Sequence, residues 1–145
     1  MTASQDSIDS IRVAAQAADS IKAMDIVAFD VSEPLGITDA FLIASGSSDR
    51  HVVSIADEIE RRLAELRGVK PLTSEGRDQG QWVLLDYGDF VVHVMYRETR
   101  EYYDLERLWQ DCPTIDLGLE HPEHAEAERT EAEHTEAEPA VDEAE

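Results

Sequence analysis

The sequence predicts an α/β fold in which a mixed β-sheet is flanked by helices, and three observations carry that reading. Two segments, one near the N-terminus and one in the middle, repeat their apolar residues at the helical period. Between and after them lie short, nearly continuous apolar runs of strand length. Two of these runs, Trp82–Asp86 and Phe90–Tyr96, are joined only by Tyr87, Gly88 and Asp89, so they must form an antiparallel hairpin.

In residues 7–23, Ile8, Ile11, Ala14, Ala15, Ala18 and Ile21 make one stripe, with Asp9, Arg12, Gln16 and Asp19 elsewhere on the wheel. This predicts an amphipathic helix lying over the sheet as a lid. Residues 25–31, DIVAFDV, read as a strand; Pro34 and Gly36 then break the path, and residues 40–45 form a second. The small residues Ser45, Gly46, Ser47 and Ser48 mark the turn out, and Ser47, Ser48 or Asp49 caps the next helix. There Val52, Ile55, Ala56, Ile59, Leu63 and Leu66 form the apolar stripe, with Asp57–Arg61 and Glu58–Arg62 pairs on the wet side. Gly68 is the expected stop.

Residues 69–73 suit an edge strand, because Pro71 has no amide to donate to a central one. Residues 74–80 follow as a polar loop. Gly88 supplies the positive φ of the hairpin turn. Beyond the hairpin, Tyr102, Leu105, Leu108 and Trp109 recur at helical spacing, which predicts a last helix with these four on one side. The resulting order argues for a mixed sheet with helices on at least one face.

Charge divides the 145 residues into a domain, 1–115, and a tail, 116–145. The tail holds 12 of the 33 acids against one base, Arg129, about half of the net charge of −21. Without an aromatic residue, and with hardly a branched aliphatic, it cannot offset its ordering entropy and is expected to be disordered. His121, His124 and His134 fall there and read as incidental. The domain is acidic too, which disfavours phosphate backbones and makes a basic protein the natural partner. Cys112 is the sole cysteine, so an intramolecular disulfide and a thiolate metal cluster are both excluded, and the cytosol fits. No apolar run approaches a membrane span, and the start MTASQDSIDSIRV lacks the basic and apolar parts of a signal peptide.

Several segments taken together, ITDAF, LIASGSSDR, GQWVLLDYGDFVVHV and YYDLERLW, resemble the ribosomal silencing factor family, also called Iojap-like proteins. The similarity runs from about Ser7 to Trp109. It implies a five-stranded mixed sheet related to the nucleotidyltransferase fold. It also implies a non-enzymatic protein, without cofactors, that docks on large-subunit ribosomal protein fourteen, blocks the small subunit and lowers translation under starvation. A homodimer in the free state is implied as well.

The candidate docking residues lie in the hairpin and the segment after it. Trp82, Tyr87, Tyr102, Tyr103 and Trp109 crowd one short region, and Tyr103 is turned about 100° from Tyr102 on a helix, so both cannot bury in one sheet. Such aromatics either fill the core or anchor an interface. His93 alternates with Val91 and Met95, opposite Phe90, Val92 and Val94, and is either a bonded structural histidine or part of the face. Asp86 and Asp89 flank the turn and suit either turn chemistry or partner contact. Motif position adds Asp104, Leu105 and Glu106, with Asp86 and Glu106 as charge partners.

The competing reading is a nucleotide-binding enzyme using the Gly46–Ser47 turn, where a strand passes into a helix whose N-terminus favours anions. It lacks the D-x-D carboxylates that would hold a metal on the next strand, and Asp49 would repel phosphate. An acidic chaperone for free basic ribosomal proteins is a third possibility.

Overall fold

The computed structural model describes residues 2–119. Helix α1, Gln5–Ser20, starts where Ser4 accepts from the amide of Ser7 and ends at Ile21. Strand β1, Met24–Asp30, follows, then a single turn α2, Ser32–Leu35, and strand β2, Ala40–Gly46. Helix α3, Asp49–Arg67, is capped by Ser48, which accepts from His51, and stops at Gly68 in the left-handed region. Strands β3, Thr73–Glu75, β4, Trp82–Asp86, and β5, Phe90–Tyr96, precede α4, Arg97–Tyr103, and a 3-10 segment, Leu105–Trp109.

The five strands form one mixed sheet in the order β1-β2-β5-β4-β3. Only β2 and β5 run parallel, because α3 carries the chain across between them. Alternation along the strands splits the interior in two. One face, with Ala28, Leu42, Ala44, Val83, Leu85, Val92 and Val94, is covered by α1 and α3. The alanines of α1, buried at 14, 15, 17 and 18, let it lie close to α3 and β2. Ile55, Ile59 and Leu63 fill the space beneath α3 and are fully buried. The other face buries a smaller cluster, Phe29, Val31, Ile43 and Met95, beside the buried Val91 and His93, with Phe41, Trp82, Leu105, Trp109 and Cys112 packed partly against it.

Three elements differ from the sequence expectation. The edge strand lies at Thr73–Glu75, not 69–73, since pairing starts only after Pro71, where the Leu72 amide reaches the Asp86 carbonyl at 2.7 Å. As an outermost strand exposed on both sides, it needs no apolar residue. The last helix is not continuous. It stops at Tyr103, Asp104 takes the left-handed conformation (φ 50°, ψ 51°), and a 3-10 segment follows. Tyr102, Leu105, Leu108 and Trp109 therefore do not share a side: Tyr102 and Leu108 are 82% and 71% exposed, while Leu105 and Trp109 turn inward.

The third difference is at the C-terminal end of the described residues. Residues 113–115 pair with the free edge of β1, through Phe29–Thr114 and the Asp30 amide on the Pro113 carbonyl. Leu117 is then buried in the main core, and Arg12 Nε donates to the Asp116 carbonyl at 2.8 Å. The boundary expected at 115/116 thus falls inside a packed segment. The expected disorder of the remaining tail, with His121, His124 and His134, lies outside the described residues.

Candidate functional site

Strand alternation gathers the chemistry on the thinly covered face. Pairing aligns Trp82 with Met95, Leu84 with His93 and Asp86 with Val91, all pointing away from α1 and α3. On the neighbouring strand Phe41 stands beside Val91, and Ile43 beside His93. A row of rings results: Tyr102, Tyr103, Trp82, His93, Phe41 and Trp109, with successive centroids 5.0, 5.1, 6.0, 5.1 and 5.2 Å apart. Three of these contacts are edge-to-face, an arrangement worth about 0.5–1.5 kcal/mol beyond the area buried. The row runs from core to surface, since Tyr102 and Tyr103 are 82% and 55% exposed.

His93 is the polar centre of this row. Its Nδ1 accepts from Trp82 Nε1 at 3.1 Å, and burial alone holds the imidazole down to about 4 from its usual range. The ring is therefore neutral at physiological pH. With Nδ1 accepting, its one proton sits on Nε2, which is buried and finds no partner among the described residues. Trp109 Nε1, beyond Phe41, is in the same position.

The other candidates scatter. Tyr87 lies on the opposite side of the sheet, stacked on Phe90 at 4.7 Å against the main core, where burial pushes its hydroxyl up. Asp86, rather than Asp89, makes the turn: its Oδ1 accepts from the Gly88 amide at 2.8 Å. Asp89 is exposed, and its carbonyl accepts from Asp39. Glu106 offers little free charge to a partner, because Arg100 takes it up at 2.8 Å. Buried Arg100 also donates to the Asp25 carbonyl and Ser45 Oγ, so it ties β1, β2 and the 3-10 segment together. Asp104 is exposed at the left-handed break, and Leu105 packs inward.

Sequence reasoning missed Phe41, Leu84, Val91 and Arg100. Phe41 and Ile43 alternate with Ala40, Leu42 and Ala44, a pattern that separates the two faces once the strand is known to be central. Arg100 carried no signal, since Asp25 and Ser45, which fix it to the sheet, lie 75 and 55 residues away and Glu106, six residues on, is not at a helical spacing.

The model for the family described as "Ribosomal silencing factor during starvation" matches residues 4–143. The chain belongs to the ribosomal silencing factor family. The family's Bacillus subtilis member, ribosomal silencing factor RsfS, is 44% identical over 107 residues, covering 74% of this chain and 90% of that protein. A crystal structure from Chromobacterium violaceum superposes with a TM-score of 0.68 at 37% identity, covering 79% of this chain and 95% of that one. The mouse protein named mitochondrial assembly of ribosomal large subunit protein 1 is 37% identical over 89 residues, covering 60% of this chain and 39% of its own length.

The silencing-factor fold uses the Gly46 turn for packing. The Ser47 amide donates to His51 Nδ1 at 2.9 Å, so a phosphate would have to compete for it. A Cβ on Gly46 would meet Val52 at 2.9 Å, and one on Gly80 would meet the Asp49 carbonyl at 2.8 Å, so the loop before β4 sits directly on the start of α3. Among the described residues no three His, Cys, Asp or Glu are grouped to hold a metal ion, and no helix is long and apolar enough to cross a membrane. The names of the family's relatives denote regulators rather than catalysts.

Proposed function

We propose that this chain silences ribosomes without chemistry, by docking its aromatic sheet face on the large ribosomal subunit through ribosomal protein fourteen. Held there, it obstructs the small subunit and represses translation when nutrients are limiting, in the cytoplasm, with a homodimer as its free state. The observation that carries this reading is the ring row, which starts in the core at His93 and ends on the exposed Tyr102 and Tyr103, with Leu108 also exposed close by. Exposed aromatics on a rigid support are the usual anchors of protein interfaces. The names of the relatives, silencing factors and a mitochondrial large-subunit assembly protein, support the large ribosomal subunit as the target.

Co-sedimentation with purified large subunits tests it. Tyr102→Ala and Tyr103→Ala change exposed side chains and are expected to leave folding intact while weakening binding about 30-fold each, the equivalent of roughly 2 kcal/mol. Glu65→Ala, on the outer surface of α3, is expected to pellet like the wild type. Full binding by both tyrosine variants would remove this face from consideration.

A further inference from the structure

Among the described residues four buried side-chain polar atoms find no hydrogen-bond partner, and two of them, His93 Nε2 and Trp109 Nε1, belong to rings that both pack edge-to-face on Phe41, at the seam between the 3-10 segment and the sheet; the others, Tyr87 Oη and Arg77 Nη2, lie elsewhere. Such a group weakens the packing around it by about 1–3 kcal/mol. The covering segment is itself lightly built. None of its five residues is buried, and it begins after Asp104 in a left-handed conformation, a break in the helix that aspartate tolerates better than most residues. Among the described residues, its one side-chain hydrogen bond to the rest of the fold is that of Glu106 to Arg100. Arg100 is fixed separately by Asp25 and Ser45, so only the Glu106 half of this contact is free to leave. Both ends of the segment are tied, by α4 before it and by the pairing of Thr114 with Phe29 after it. Its available motion is a swing, which is how weakly packed regions open locally.

We propose that Leu105–Trp109 is a hinged cover, latched by Glu106 on Arg100, that swings aside on docking so that backbone carbonyls of the partner accept from His93 Nε2 and Trp109 Nε1. The identity of the partner rests on the docking reading above; the hinge does not. Uncharged acceptors fit best. An anion brought among these rings would find its nearest cation, Arg100, already neutralised by Glu106, and an unpaired buried charge is far costlier than a carbonyl.

Indole hydrogen exchange, read by NMR on the full chain, tests the hinge without ribosomes, since the two tryptophans give one bonded and one unbonded N–H. Trp109 is expected to exchange at least about tenfold faster than Trp82 despite its burial, and Glu106→Gln to accelerate Trp109 several-fold further while leaving Trp82 unchanged. Equal rates in the wild type, or a Glu106→Gln that speeds both alike, would overturn the hinge. Trp109→Phe tests the acceptor step, because it keeps a ring and removes the N–H. It should melt no lower than the wild type yet pellet about tenfold more weakly with large subunits. Undiminished pelleting by Trp109→Phe overturns that step. A wild type that does not pellet overturns the docking reading and the acceptor step together, while the exchange rates still decide the hinge.

Discussion

His93 stays neutral in the folded chain because Phe41, Trp82 and the sheet exclude water from its ring, lowering its pKa from 6.5 to about 4. In the unfolded chain the same ring titrates near 6.5, so between these values the unfolded state binds more protons. Stability is therefore fully present above about pH 6.5 and is lost as pH falls toward 4. Urea unfolding should find the wild type about 2 kcal/mol less stable at pH 5 than at pH 7. His93→Gln should lose much less over that interval; an equal loss would mean that other groups carry it. The alternation of FVVHVMY was enough to put His93 on the side of Val91 and Met95, away from Val92 and Val94. It could not supply the bond to Trp82, which depends on β4 and β5 pairing with Trp82 opposite Met95. Tyr87 obeys the same alternation: two residues after Leu85, it faces the main core with Val83 and Leu85, on the side away from Trp82.

Elements were legible where one physical signal dominated. Serine before and glycine after an apolar stripe bounded α3, and two apolar runs around Gly88 bounded β4 and β5. The reading weakened where long-range contacts decide. Strand β3 is polar on both sides, held by its ladder to β4 and by Ser74 accepting from Arg77, so hydrophobicity could not mark it. The break at Asp104 arises from Arg100 capturing Glu106 and Trp109 folding onto Phe41, neither of which has a local pattern. The same holds for residues 116–119, whose acidic flank hid Leu117. Truncation separates these levels. A chain ending at residue 119 should keep the thermal midpoint of the full protein, whereas one ending at 115 should lose about 2 kcal/mol because the buried Leu117 side chain is removed from the core. Equal stability of the two would show that Leu117 contributes nothing, and a large loss at 119 would give the remaining tail a structural role.

For the whole molecule, the asymmetry between the two sheet faces matters most. One face is sealed by α1 and α3; the other carries a small buried cluster, a lightly held cover and exposed rings. The sequence disclosed the fold class, the acidic balance and the aromatic crowding, and the family resemblance supplied a partner that physics alone would have left as a basic protein. The central claim is obstruction, and the direct measurement is the rate at which purified small and large subunits join, followed by light scattering, with this protein at saturation on the large subunit. The account predicts joining slowed at least about tenfold by the wild type and restored by Tyr102→Ala with Tyr103→Ala. Joining at its unperturbed rate, with the wild type demonstrably bound, would contradict it.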